Sequence, residues 1–147
     1  MLLHDMNAAA TVRDYYDALR DGDPLGPFFA ADGADETAVK FGISERLVGS
    51  DEIRAGLREQ TETTTRWAVE SRALRVTERS CHAWFSDDVF LSWTDTERGI
   101  GYEFDTRWSG TLERQDAPNG TAASNSESEG DGDWRFVGMH VSVPGDV

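Results

Sequence analysis

The sequence predicts an α+β domain, with N-terminal helices packed on one face of an antiparallel sheet. Three observations carry that expectation. Apolar residues recur at helical spacing in two stretches before Arg66, the period changes from 3.6 to 2 after it, and four long strand-like segments then follow. Helices first and strands after is the order of an α+β plan rather than of alternating βαβ units. A chain of 147 residues suits one hydrophobic core and is short for two, so residues 1–147 are read as a single domain.

Each element has a local reason. Residues 7–21 place Val12, Tyr15, Tyr16 and Leu19 on one helical stripe, with Arg13, Asp14, Asp17 and Arg20 elsewhere on the wheel. Gly22 and Pro24 end that helix. The apolar patch 25–31, set between Pro and Gly signals, suits a single helical turn. Residues 38–42 and 45–48 are close enough to pair as a β-hairpin. Gly49 and Ser50 open a second helix, with Asp51 and Glu52 in the first turn, where the helix dipole favours negative charge, and Ile53 and Leu57 on its apolar stripe. The strand segments are 67–77, 81–94, 101–114 and 134–143. Residues 115–133 contain no aromatic or branched aliphatic side chain. Such a segment buries too little apolar surface to offset its ordering entropy. It is expected to be a disordered acidic hairpin loop whose removal leaves the fold intact.

Composition narrows the partners. The chain carries 28 acidic and 14 basic residues, a formal net charge of -14, and a pI near 4.4. Nucleic acid is not an expected partner, since binding it takes a basic footprint that neutralises phosphates. Lys40 is the one lysine and every other basic residue is an arginine. An acidic, lysine-poor surface suits a halophilic protein, because self-repulsion is screened over only about 3 Å at 1 M salt. Cys81 is the single cysteine, so no internal disulfide forms and a cytoplasmic location is expected. No segment approaches the roughly 18 consecutive apolar residues of a membrane span, so no membrane partner is expected.

Five stretches then stand in a recognisable order: YYDALRDGD at 15–23, LVGSDEIRAGL at 47–57, AWFSDD at 83–88, RWSGTLER at 107–114 and DWRFVGMHVS at 133–142. Together they resemble the successive motifs of the nuclear transport factor 2-like superfamily, in particular its SnoaL-like branch, in an acidic, haloarchaeal-type form. The resemblance implies a cystatin-like roll: a cone-shaped, strongly curved antiparallel sheet wrapped around the helices, a pocket between them, and a homodimer formed through the sheet. It implies no single activity. Members include isomerases, polyketide cyclases, an epoxide hydrolase, dehydratases and non-catalytic binding or assembly domains, and a fold does not convert into a function. The resemblance also places the oxyanion-binding tyrosine of ketosteroid isomerases on Tyr15. The general-base aspartate of those enzymes would fall at about Phe41 and their second acid near Trp108 or Gly110, so steroid-type isomerisation is not implied.

Alternation nominates a pocket. One face of 81–94 carries Ala83, Phe85, Asp87, Val89, Leu91 and Trp93, and the other carries His82, Trp84, Ser86, Asp88, Phe90 and Ser92. In the next strand the apolar face is Tyr102, Phe104, Thr106, Trp108, Gly110 and Leu112. In the last it is Val137, Met139, Val141 and Val143, opposite Trp134, Phe136, His140 and Ser142. The expected pocket wall is Tyr16, Phe85, Val89, Trp93, Phe104, Trp108, Met139 and Val141.

Asp87 is the only charge on its face. An ion buried without partners costs several kcal/mol, against roughly 1.5 to 3 kcal/mol gained by burying a neighbour such as Phe85. Asp87 must therefore be paired, hydrogen-bonded, hydrated or protonated. A buried acid of this kind suits general acid or base work, and Asp87→Asn is then expected to preserve or raise stability. The alternative is a turn or bulge at Ser86, Asp87 and Asp88. Tyr15 is a second catalytic candidate, as a phenol donating to a developing enolate, or else a core tyrosine. His140 is the third, or else a residue of the dimer side of the sheet. Arg107 is expected to pair with a sheet-face carboxylate. His4, His82 and His140 show no metal-ligand spacing, no catalytic triad or phosphate-cradling glycine motif is present, and neither metal nor cofactor is expected. Three functions remain in view. They are a small-molecule binding domain with an aromatic pocket, an enzyme using Asp87 in isomerisation, cyclisation or dehydration, and a structural dimerisation module.

Overall fold

Asn7 begins the first helix by accepting the Ala10 amide on its side-chain oxygen at 2.7 Å, and Gly22, left-handed at φ 74°, ends it. The computed structural model describes residues 7–30, 37–115 and 133–145. Helix α1, Ala8–Asp21, buries Val12, Tyr15, Tyr16 and Leu19 as the helical stripe required. A 3-10 turn, Gly26–Phe28, leads to strands β1, Val39–Phe41, and β2, Arg46–Val48. Helix α2, Ser50–Thr63, starts at Gly49, carries Asp51 and Glu52 in its first turn, and buries Ile53 and Leu57. The remaining strands are β3, Thr64–Ser71; β4, Arg75–Glu78; β5, His82–Asp95; β6, Ile100–Gln115; and β7, Asp133–Ser142.

These strands form one seven-stranded, unclosed sheet in the order β2-β1-β7-β6-β5-β3, with β4 sharing the outer edge of β5. Helix α1 lies against β3, β4 and β7, and α2 against β1, β2 and β3. The architecture is the expected α+β plan, with one correction: the sheet is mixed, because β1 runs parallel to β7. Tight turns force neighbouring strands to be antiparallel, but Phe41, the last residue of β1, stands 92 positions before Asp133, the first of β7, so no turn sets their direction.

Three further corrections concern the strands. The expected strand 67–77 is two strands, because the chain bends at residues 72–74, where the Arg72 amide donates to the Asp88 carbonyl at 2.9 Å and the Ala73 amide to the Asp87 side chain at 2.9 Å. No turn interrupts 86–88, since every residue of β5 from His82 to Asp95 pairs in unbroken register with β6. In β7 the register passes from Thr111↔Gly138 to Leu112↔Phe136, so Val137 is an extra residue in a bulge. The bulge reverses the alternation. Trp134 and Phe136 are consequently buried on the same side as Met139 and Val141, where simple alternation had set them opposite.

A second bulge lies in β3, where Arg66 and Trp67 together oppose Trp93 and Arg66 takes a φ of 58°. Beyond the bulge in β7, Gly110 admits no larger residue, because a Cβ there would stand 2.6 Å from the Gly138 carbonyl and 2.7 Å from Phe85 Cε1. The core centres on Tyr15, whose ring meets Phe28, Phe29, Phe136 and Trp108 edge-on at 5.3 to 6.1 Å. Of the expected disordered loop, residues 116–132 lie outside the described residues. Gln115 and Asp133, at its two ends, pair with each other.

Candidate functional site

Between the sheet and the helices lies a cavity of about 410 Å³. Its wall follows from strand register. Trp93 pairs with Tyr102 and Leu91 with Phe104, so the period of two sets all four on the inner face of β5 and β6. The bulge at Arg66 turns Trp67 onto the same group, stacked on Trp93 at 4.8 Å. Trp93 in turn stacks on Tyr102 at 5.5 Å, and Tyr102 on Phe104 at 6.3 Å. Deeper in, Trp108 and Val141 complete the apolar surface. The Trp108 indole N–H donates to Thr106 Oγ1 at 2.9 Å, and the Thr106 hydroxyl to the Val89 carbonyl at 2.6 Å. The cavity therefore meets the ring of Trp108 rather than an unsatisfied polar atom.

Polar side chains line the cavity as well. Lys40 on β1 is 5% exposed, and its Nζ lies 2.7 Å from Glu45 Oε2. The turn joining β1 to β2 closes through the Gly42 amide donating to the Glu45 carbonyl at 3.0 Å, which brings Glu45 back over Lys40. Tyr15 reaches the same cavity from α1, and among the described residues its hydroxyl has no hydrogen-bond partner. Burial, and then the charge of Glu45, holds the Tyr15 phenol above the usual tyrosine range, so it stays protonated and able to donate.

Asp87 is buried on the core face of β5, as alternation required, but does not line the cavity. Its Oδ2 accepts from the Tyr16 hydroxyl at 2.8 Å and the Ser71 hydroxyl at 2.6 Å, and its Oδ1 accepts the Ala73 amide at 2.9 Å. The expected pocket acid is thus a junction tying α1 and the β3–β4 bend to β5. Burial, followed by the hydrogen bond to Asp87, raises the Tyr16 phenol well above the usual range.

Of the other expected site residues, Tyr15, Trp93, Phe104, Trp108 and Val141 line the cavity. Tyr16, Phe85, Val89 and Met139 do not; they belong to the packed core, because helices α1 and α2 fill the space in front of that half of the sheet. His140 is exposed outside the cavity, and its ring lies tilted against Phe41 at 5.4 Å between centroids. Arg107 reaches Ser142 at 3.5 Å, rather than a carboxylate. The sequence reading missed Lys40, Glu45 and Trp67, but it set Tyr102 on the face nominated for the pocket. Lys40 carried a signal as the only lysine of the chain, whereas Trp67 carried none, since its orientation depends on a bulge. Among the described residues no group of three or more His, Cys, Asp or Glu is placed to hold a metal ion.

Two helices folded against a curved, unclosed sheet, with an aromatic cavity between them, define the α+β cone class. The chain belongs to the SnoaL-like domain family, which matches residues 8–146. Its structure is similar to a nuclear transport factor 2-like superfamily protein from Salmonella enterica, with a TM-score of 0.69, 18% identity, and coverage of 93% of this chain and 88% of that one. It is also similar to a ketosteroid isomerase-like protein from Erwinia carotovora, with a TM-score of 0.67, 16% identity, and coverage of 97% and 98%. A candidate dehydratase of the same superfamily from Streptomyces avermitilis has a TM-score of 0.70 and 15% identity, with 94% of each chain covered. At these identities the likeness is one of fold. No curated protein matches the sequence.

Proposed function

We propose that this SnoaL-like domain binds a small planar organic molecule in its aromatic cavity. The observation that supports the reading is the run of stacked rings, Trp67, Trp93, Tyr102 and Phe104, along a cavity of about 410 Å³. That volume lies in the range of roughly 300 to 1,000 Å³ typical of small-molecule sites, which are mostly apolar with a few convergent polar groups. The test is a thermal-shift and calorimetric screen of planar aromatic compounds on the full-length protein. Binders are expected, and Trp93→Ala should weaken them by about tenfold, since an aromatic contact is worth about 0.5 to 1.5 kcal/mol beyond its buried area. A screen without a single binder would defeat the reading and favour a structural dimerisation module.

The enzymatic reading passes from Asp87 to Glu45. Glu45 is the carboxylate among the described cavity residues, while the oxygens of Asp87 are engaged by three donors. General acid or base catalysis of isomerisation, cyclisation or dehydration needs a group within reach of the ligand. Turnover abolished in Glu45→Gln, with binding kept, is its signature. The proposal includes a homodimer through the outer sheet face, where Trp84 is exposed, and a cytoplasmic, haloarchaeal-type setting without nucleic-acid or membrane partners. The net charge of -14 and the burial of the chain's one lysine support the salt-adapted part. Among the described residues no helix is long and apolar enough to cross a membrane.

A further inference from the structure

Polar side chains interrupt the aromatic wall of the cavity. Lys40 and Glu45 form an ion pair, yet the two partners are not equally placed: the lysine side chain is 6% exposed and the glutamate 36%. Water therefore dissipates much of the carboxylate's charge at the rim, while the ammonium keeps its charge inside, where screening is weak. An ammonium has three N–H donors, and among the described residues one is taken, by Glu45. The Tyr15 hydroxyl, in a residue 2% exposed that lines the same cavity, is a second donor, without a protein partner among the described residues. Both residues line the cavity, so their donors can face an incoming ligand. The chain, moreover, uses arginine at every basic position but this one, and places here the compact, strongly hydrated charge.

We propose that Lys40 Nζ and the Tyr15 hydroxyl receive a carboxylate carried on an aromatic body, whose rings stack along Trp93 and Tyr102. The inference rests on the cavity being a ligand site, and it names the class of ligand. Glu45 holds the ammonium in place from the more exposed side of the pair.

The test uses three probes of one shape: 2-naphthoate, the uncharged 2-naphthamide and the cationic 2-naphthylmethylammonium, titrated calorimetrically into the full-length protein at one constant salt concentration. Naphthoate is expected to bind about tenfold or more tighter than the amide, the advantage of a charge-assisted hydrogen bond, and the cation most weakly. Lys40→Met should erase the preference and Lys40→Arg should keep part of it. The double variant Lys40→Met with Glu45→Gln, which leaves no unpaired charge behind, should erase it too if the single variant fails to fold. Equal affinity of the wild-type protein for naphthoate and naphthamide would overturn the inference while leaving the binding reading intact. A preference that survives the double variant would also overturn it. Failure of all three probes to bind would overturn the inference, while the wider screen of planar compounds decides the binding reading beneath it.

Discussion

Asp87 shows what it takes to keep a carboxylate inside a protein. Its two oxygens accept three hydrogen bonds, from Tyr16, Ser71 and the Ala73 amide, and each donor comes from a different part of the surrounding structure. Asp87→Asn would set an amide NH₂ against one of those donors. The variant is therefore expected to lose about 2 to 4 kcal/mol in urea melts. That is the reverse of what an isolated charge on an apolar face suggests. Asp88→Asn, on the exposed face of the same strand, should change stability by less than about 0.5 kcal/mol. Equal effects of the two substitutions would show that the junction contributes nothing.

The tyrosines of α1 make a second prediction at the same scale. Both phenols are held above their usual range, by burial first, then by Glu45 for Tyr15 and by the Asp87 hydrogen bond for Tyr16. In the unfolded chain a tyrosine ionises near pH 10, so above that pH the unfolded state sheds protons that the folded state keeps. The folded state then binds more protons, and stability falls as pH rises. The contribution is complete below about pH 10 and drains away as the pH climbs towards the folded values. Melts between pH 8 and about 11.5 should steepen by about 1.4 kcal/mol per pH unit for each such tyrosine, and Tyr16→Phe should remove one share. An unchanged slope in the variant would remove Tyr16 from the account.

At the scale of elements, two bulges decide what faces the cavity and what faces the core. The extra residue Val137 returns Trp134 and Phe136 to the core, and the Arg66 bulge delivers Trp67 to the aromatic wall. A strand that slips by one residue exchanges its faces, so a single bulge rewrites the side-chain assignment of everything beyond it. The β6–β7 hairpin gives the element-scale prediction. Because Gln115 already pairs with Asp133, replacing 116–132 by an Asn-Gly turn needs no movement of either strand. Loop-closure entropy varies slowly with length, so the shortened protein should fold and melt within a few degrees of the parent by circular dichroism. Loss of the folded state would make the excised segment structural.

For the whole molecule the governing quantity is charge. With 28 acidic residues, and with its one lysine buried, the chain repels itself in dilute buffer. Thermal stability should rise steadily from about 0.1 M to about 2 M KCl as the screening length shrinks. Full stability at the lower concentration would remove the salt-adapted reading. The same surface argues for measuring ligand binding at constant salt, since its net charge of -14 repels an incoming anion to a degree that salt changes.

The order of the elements, the stripe of α1 and the buried row Ala83, Phe85, Asp87, Val89 and Leu91 were legible in the sequence alone, because helical and strand periods are local and need no knowledge of the partner. The order of five motifs was enough to place the chain in its superfamily. Tertiary structure alone decided the parallel pairing of β1 with β7, the two reversals of alternation, and the partners of Asp87, one of which is 71 positions away in Tyr16. It also decided that Lys40, Glu45 and Tyr15 line the cavity and that Asp87 does not. Periodicity tells which way a side chain points from its own backbone. Which donor or charge stands opposite depends on how distant segments meet, and no local pattern encodes that.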